Sequence, residues 1–204
     1  MKNDDKSHGL GFRESPLAQS TYDAKAGTID VTLASETPCP CYDRGEMVDE
    51  VLLADGAEWD RESVPFQDSH DRYSVEANLG SVRNMRKEPG GLIVGQVHFA
   101  STQKAKDTEA KYRDRHLRDV SVGYRTSPDH SIRIGKKEKA MVLGREFQAA
   151  NERGMVIRTK WQIREVSAVA IGADPVAKSR EFFPASDCSA VTLPLIGLTG
   201  LKLE

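Results

Sequence analysis

Short runs of alternating apolar and polar residues, interrupted by glycine, proline and aspartate, constrain this chain more than any other feature. Ile29, Val31 and Leu33 alternate with polar neighbours, the period of a strand with one buried face. A loop rich in Pro, Cys, Asp and Gly is expected over 36–45, then a strand over 47–53 that ends at the turn dipeptide Asp55-Gly56. Runs over 79–86 and 92–99 flank Glu88-Pro89-Gly90-Gly91 and read as a hairpin. Further strands are expected over 120–126, 141–147, 154–163 and 165–171. One stretch breaks the pattern. Residues 103–117 hold no Gly or Pro, are rich in Ala, Lys, Glu and Arg, and follow the potential N-caps Ser101 and Thr102, so they read as a helix. A second, short helix is expected after Pro175. Many strands with one central helix ahead of the 120–126 strand argue for a β-rich α+β barrel or sandwich.

With 204 residues, the chain has the length of one domain with tails. Residues 1–25 are polar and aperiodic and read as a flexible N-terminal arm; 26–184 form the domain. Residues 185–204 are small and apolar without a period, the pattern of a tail, a linker or a boundary to further sequence. Lys+Arg 29 against Asp+Glu 31 leaves a net charge of -2, so no basic excess drives binding to phosphate backbones and no direct nucleic-acid role is expected. The mixed charges of the helix read as a solvated face. No run approaches the ~20 apolar residues that span a bilayer, and residues 1–6 hold no apolar leader, so a soluble protein of a cytoplasm-like compartment is expected, without membrane association. The three cysteines cannot all pair within one chain. Cys39 and Cys41 flank Pro40, Cys188 stands far off, and no further ligands stand at zinc-site spacing. Reduced thiols, with no metal and no cofactor, are therefore expected.

Phosphate-binding loops, dinucleotide fingerprints, H-E-x-x-H and G-x-S-x-G are all missing, which removes the usual support for several enzyme classes. Three segments remain. In 64–71 an apolar run ends in Gln67-Asp68-Ser69-His70-Asp71. In Val120-Ser121-Val122-Gly123-Tyr124, strand alternation puts Ser121 and Gly123 on one face and the larger side chains on the other. The third, 161–175, carries Glu165 and ends in a turn. Each has an ordinary explanation: a structural serine, a surface histidine, a charge pair between Arg164 and Glu165. Nucleophilic catalysis needs a hydroxyl, a base and a group that orients the base, and Ser121, His70 and Glu165 supply these types. His98, His116 and His130 are the competing bases, with Asp68 and Asp71 the competing acids.

Taken together, Val64 to His70, Leu79-Gly80-Ser81-Val82, Val120-Ser121-Val122-Gly123-Tyr124 and Glu165-Val166-Ser167-Ala168-Val169, followed by 173–177, resemble the prohead (capsid maturation) serine protease family of tailed bacteriophages. The motifs stand in the family's order over roughly residues 27–183, with 51 residues from His70 to Ser121 and 44 from Ser121 to Glu165. The resemblance implies a fold similar to the herpesvirus assembly proteases, a β-barrel-like sheet core with helices around it. It implies Ser121 as nucleophile, His70 as general base and then acid, and Glu165 as the group orienting His70. The third member of the herpesvirus enzymes is a histidine, and the arginine pair of their oxyanion turn is replaced here by Ala173-Asp174. Oxyanion stabilisation then needs a backbone N–H, such as that of Ala173, or another donor. The implied activity is endoproteolysis of scaffold or capsid-protein segments, and of the chain itself. The implied setting is an assembling procapsid in the bacterial host cytoplasm, with a homo-oligomeric enzyme. The same fold serving as a non-enzymatic scaffold or assembly protein is the alternative.

Overall fold

Fifteen strands and one α-helix make up the described chain, in a computed structural model that describes residues 19–150 and 152–182. The strands are β1 (Gln19–Ser20), β2 (Thr28–Ser35), β3 (Cys39–Asp43), β4 (Glu46–Leu52), β5 (Ala57–Glu58), β6 (Val64–Asp68), β7 (Asn78–Glu88) and β8 (Leu92–Phe99). Helix α1 (Gln103–Arg113) follows, then β9 (Val120–Thr126), β10 (Ser131–Ile134), β11 (Lys139–Val142), β12 (Arg145–Gln148), β13 (Met155–Arg158), β14 (Trp161–Ala168) and β15 (Glu181–Phe182). The class is α+β and β-rich. Residues 1–18 of the expected arm, Cys188 and the expected 185–204 tail lie outside the described residues.

The main sheet has seven strands in the order β2-β8-β7-β6-β14-β5, with β9 pairing β14. The β7–β8 hairpin forms as expected, its turn at Gly90 and Gly91, both with φ above +70°. That left-handed backbone is one that glycine adopts without steric cost. The sheet curls until its outer strands β2 and β9 approach each other, and residues 177–180 lie in the gap. Thr32 N–H donates to Lys178 O at 2.9 Å and Arg180 N–H to Asp30 O at 2.8 Å on one side. On the other, Val120 N–H donates to Ala177 O at 3.1 Å and Ser179 N–H to Arg118 O at 2.8 Å. The sheet is thus closed on itself at this end, which removes part of two exposed edges. Ile29, Val31, Leu33, Phe66, Val82, Val97, Trp161, Ile163 and Val166 fill its core, each 2% exposed or less.

Several sequence expectations change in detail. The helix ends at Arg113, not at 117, because Arg115 takes φ +62° and the N–H groups of His116 and Leu117 fold back onto Lys111 O. That turn aims the chain into β9. Ala105 and Tyr112 are its buried residues; Tyr112 packs on Phe66 and Phe99 and donates its hydroxyl to Asp119 O at 2.8 Å. Its lysines, Asp107 and Arg113 face solvent, and Glu109 is half-buried. Among the described residues no helix follows Pro175: Ala177 N–H closes a turn onto Asp174 O, and the chain then extends into the closing segment. Residues 141–147 form parts of two strands, since Leu143 and Gly144 both take positive φ. The expected loop at 36–45 contains a strand, β3, despite its turn-like composition. Its pairing with β4 supplies the ladder that the Pro40 side chain does not oppose at a sheet edge. Part of the expected arm packs on the domain, for Tyr22 donates its hydroxyl to Glu109 Oε1 at 2.7 Å.

A second sheet, β10-β13-β4-β3, is held by a buried guanidinium. Arg158 Nε donates to Glu50 Oε1 at 2.6 Å, Nη2 to Asp43 Oδ1 at 2.9 Å and Nη1 to Ser131 Oγ at 2.8 Å. The Tyr124 hydroxyl of β9 donates to the other oxygen of Glu50, which ties this network to the main sheet. The Arg158 and Glu50 side chains are only 10% and 8% exposed. Removing one partner of a buried pair strands the other, so Arg158→Leu is expected to cost about 3–5 kcal/mol in urea unfolding at neutral pH. The hydrogen bond from Arg158 holds the Asp43 carboxyl below its ordinary 3.8. A depressed carboxyl stabilises above its unfolded value and loses that contribution as pH falls through the folded one. The gap between wild type and Arg158→Leu is therefore expected to narrow below about pH 4; a gap independent of pH would remove Asp43 from the account.

Candidate functional site

β14 runs through the centre of the sheet, parallel to β6 on one side and antiparallel to β9 on the other. Along β9, Ile163 pairs with Tyr124 and Glu165 with Gly123, so two steps on β14 meet one on β9. The extra residue, exposed Arg164, is a β-bulge. Strict alternation would point Glu165 to the same side as Ile163, into the apolar core. The bulge reverses the parity, so that Val166 and Ala168 continue the core face while Glu165 and Ser167 point to the other side. Ser121 is directly opposite Ser167 and Gly123 opposite Glu165, which puts all four on one face. Directly opposed residues have Cβ atoms about 4.5–5.5 Å apart. Ser121 and Glu165 are therefore diagonal neighbours.

Gly123 is required here by close approach. A Cβ at this position would run into the Glu165 carboxylate, which lies across the β9 backbone.

His70 reaches this face from the end of β6. Beyond Asp68 the chain reverses through Ser69 (φ +50°) and His70 (φ +60°), two consecutive non-glycine residues in the left-handed region. Such conformations cost of order 1–3 kcal/mol each and persist where surrounding bonds impose them. Ser69 N–H donates to Ala168 O at 3.0 Å, Asp71 N–H to Asp68 O at 2.9 Å, and His70 N–H to Ser167 Oγ at 3.0 Å. The imidazole is thereby held over β14, with Nδ1 2.6 Å from Glu165 Oε1. An ionised carboxylate only accepts, so Nδ1 carries the proton and Nε2 is left as the acceptor. The His70 side chain is 40% exposed while that of Glu165 is 5% exposed, so the pair has one wet end and one dry end.

The other acids do not meet this ring. Asp68 is engaged by Lys104 Nζ at 2.8 Å and by Ser69 Oγ at 2.9 Å; the Lys104 bond is the main reason its carboxyl lies below the ordinary range. Asp71 accepts from the N–H groups of Tyr73 and Ser74. The competing histidines lie elsewhere: His98 on β8 between Thr28 and Ser81, His116 beyond the helix, and His130 in the short turn before β10. Sequence reading named Ser121, His70 and Glu165, and the fold brings them to one face. It did not assign Ser167 a role or place Gly123 against the Glu165 carboxylate. The signal for Ser167 was the i, i+2 spacing from Glu165, which puts both on one side of a strand.

Among the described residues, β9 beside Ser121 is paired on one side only. Val120 N–H points outward to the closing segment, so alternation aims the amides of Val122 and Tyr124 along the same outer edge, where no further described strand pairs. Next to that edge is a cavity of about 190 Å³ bordered by Ser121 and Ala173 and walled by Leu33, Leu52, Val122, Tyr124 and the two thiols. Burial first, then nearby carboxylates, pushes the Cys39 and Cys41 thiols up to about 11, so neither is a thiolate nucleophile at neutral pH. In the turn after β14, Gly172 N–H is taken by Asp119 Oδ2 at 2.9 Å, which leaves Ala173 as the next amide at this rim. Among the described residues, no group of three or more His, Cys, Asp or Glu side chains is placed to hold a metal ion, and no helix is long and apolar enough to cross a membrane.

Comparison with protein-family models, with curated proteins and with solved structures found no match for this chain.

Gly123→Ala is expected to drive the Glu165 carboxylate off His70 and to lower stability by about 1–3 kcal/mol, the usual cost of overpacking. A crystal structure of that variant with the His70–Glu165 contact intact would contradict the close-approach account.

Proposed function

We propose that this chain is a serine endopeptidase in which Ser121 is the nucleophile, His70 the general base and then acid, and Glu165 the orienting carboxylate. The observation that carries the reading is the 2.6 Å contact between His70 Nδ1 and Glu165 Oε1, formed by residues 95 positions apart, on the same sheet face as Ser121. Two consecutive left-handed residues at His70 add to it, since strain of this kind gathers at functional sites.

In the proposed reaction Ser121 Oγ attacks the scissile carbonyl carbon as His70 Nε2 takes its proton. Glu165 stabilises the imidazolium and keeps Nδ1 protonated. The tetrahedral oxyanion is held by backbone N–H, with Ala173 the proposed donor. His70 then gives its proton to the leaving amine, and the C–N bond breaks to an acyl-enzyme. Water, deprotonated by His70, hydrolyses the ester and restores Ser121. The substrate lies extended along the free outer edge of β9, as in other strand-addition modes, and sets one apolar side chain in the cavity. At about 190 Å³ the cavity suits a single side chain, well below the ~300–1,000 Å³ of sites for whole small ligands.

The finer assignments rest on the sequence resemblance: a herpesvirus-protease-like barrel, a homo-oligomeric enzyme, and cleavage of scaffold or capsid-protein segments inside a phage procapsid in the host cytoplasm. The curled, closed sheet supports the first of these. Confinement in a shell raises effective concentration as tethering does, so such an enzyme needs little intrinsic affinity.

Ser121→Ala and His70→Ala are each expected to abolish cleavage of a fluorogenic peptide library, with the fold retained by circular dichroism; turnover that survives in either variant sinks that assignment. Glu165→Gln is expected to lose about 10²–10³ in turnover, less than the ~10⁴ for loss of a triad acid, because the amide oxygen still accepts from imidazole. Cys41→Trp fills the cavity and leaves Ser121, His70 and Glu165 unsubstituted. It is expected to cut kcat/KM for the preferred apolar peptides at least tenfold, as read from progress curves.

A further inference from the structure

The Ser167 hydroxyl is fully buried, lies beside the three proposed catalytic residues, and has no part in the reaction just described. It has one proton and makes two hydrogen bonds. Its oxygen accepts from His70 N–H at 3.0 Å, and its proton goes to Glu165 Oε2 at 2.7 Å. Since a backbone N–H can only donate and a carboxylate only accept, the direction of both bonds is fixed. Glu165 Oε1 in turn receives His70 Nδ1–H at 2.6 Å. The result is a closed ring of hydrogen bonds: His70 backbone to Ser167, Ser167 to Glu165, Glu165 to the His70 side chain.

We infer that Ser167 is the positioning residue of this site, setting the Glu165 carboxylate and the His70 backbone through one hydroxyl. The inference rests on the protease reading for its catalytic consequence, though not for its geometry. Two features make the hydroxyl more than packing. Glu165 is 5% exposed, and a buried carboxylate needs a donor on each oxygen; Oε1 has the His70 imidazole, and the donor to Oε2 is the Ser167 hydroxyl. Without that hydroxyl the carboxylate is free to rotate, and Oε1 no longer stays aligned with Nδ1. His70 meanwhile has φ +60°, a conformation that reverts toward the ordinary regions when its N–H loses its acceptor. Both partners of the 2.6 Å contact thus depend on the same atom.

The test uses the full chain carrying Ser121→Ala, so that no turnover is needed, and records the far-downfield proton NMR resonance of a histidine Nδ1–H bonded to a carboxylate. His70→Ala identifies it by removing it. The expected result is loss or a clear upfield move of this resonance in Ser167→Ala and its retention in Ser167→Thr. Ser167→Thr and Ser167→Val have the same shape and differ by the hydroxyl, so a resonance in the first and not in the second carries the same conclusion should the alanine variant fail to fold. With Ser121 restored, Ser167→Ala is expected to lower kcat about 10–100-fold with KM within twofold, the size of effect when a partner orienting a functional histidine is removed. An unchanged resonance in Ser167→Ala or Ser167→Val overturns the inference. Resonances that move as expected in a wild-type chain that cleaves no peptide would leave the positioning role standing and remove the protease reading instead.

Discussion

A carboxylate buried at 5% exposure in the middle of a sheet is the constraint on which this structure turns. Glu165 cannot be left there without donors, because an unpaired charge in that environment costs far more than any single contact returns. The donors are His70 and Ser167, and each demands something of the fold. His70 has to be brought from the end of a neighbouring parallel strand through two left-handed residues. Ser167 has to share a face with Glu165, and Gly123 has to have no side chain where the carboxylate crosses. Local strain and local loss of packing are the consequence, and the surrounding sheet is what sustains them.

The sheet can do so because β14 is its most constrained strand. It is paired on both sides, Trp161 at its start donates its indole N–H to Leu53 O at 2.8 Å, and the bulge at Arg164 changes its parity once. Apolar residues before and after the bulge remain in the core while the polar pair turns out. The same strand therefore serves as core and as the floor of the candidate site. Closure of the sheet by residues 177–180 does a related job at its other margin: it pairs one end of β9 and, among the described residues, leaves the stretch after Ser121 with an unpaired edge beside an apolar cavity. On the proposed reading, the nucleophile is at the point where the sheet stops being closed.

The third position of the proposed triad gains physical meaning from this arrangement. A neutral group there would hold the imidazole tautomer; a carboxylate also stabilises the charge that forms on it. The buried end of the His70–Glu165 pair keeps that interaction in a low dielectric, while the exposed imidazole remains open to a substrate.

Much of this was legible in the residues themselves. Alternation marked β2, the β7–β8 hairpin and β9, and the absence of Gly and Pro marked the helix; the expected strands over 154–163 and 165–171 instead form as β13 (Met155–Arg158) and a β14 (Trp161–Ala168) that runs through residue 164. Ser121, His70 and Glu165 were legible as chemical types in three ordered segments. What alternation could not give was Glu165's direction: the bulge at Arg164 exists only relative to β9, and without it the acid would face the core. Strand β3 was hidden because Cys39, Pro40 and Cys41 have turn-like composition and become a strand only by pairing with β4. The helix end at Arg113 and the extended course of 177–180 were decided by where β9 and the closing segment had to go. The sequence determined which residues are apolar, which carry a nucleophile, base or acid, and where the chain bends. Tertiary structure alone decided that residues 95 apart meet at 2.6 Å, since hydrogen bonding between strands distant in sequence depends on register, which no local pattern encodes.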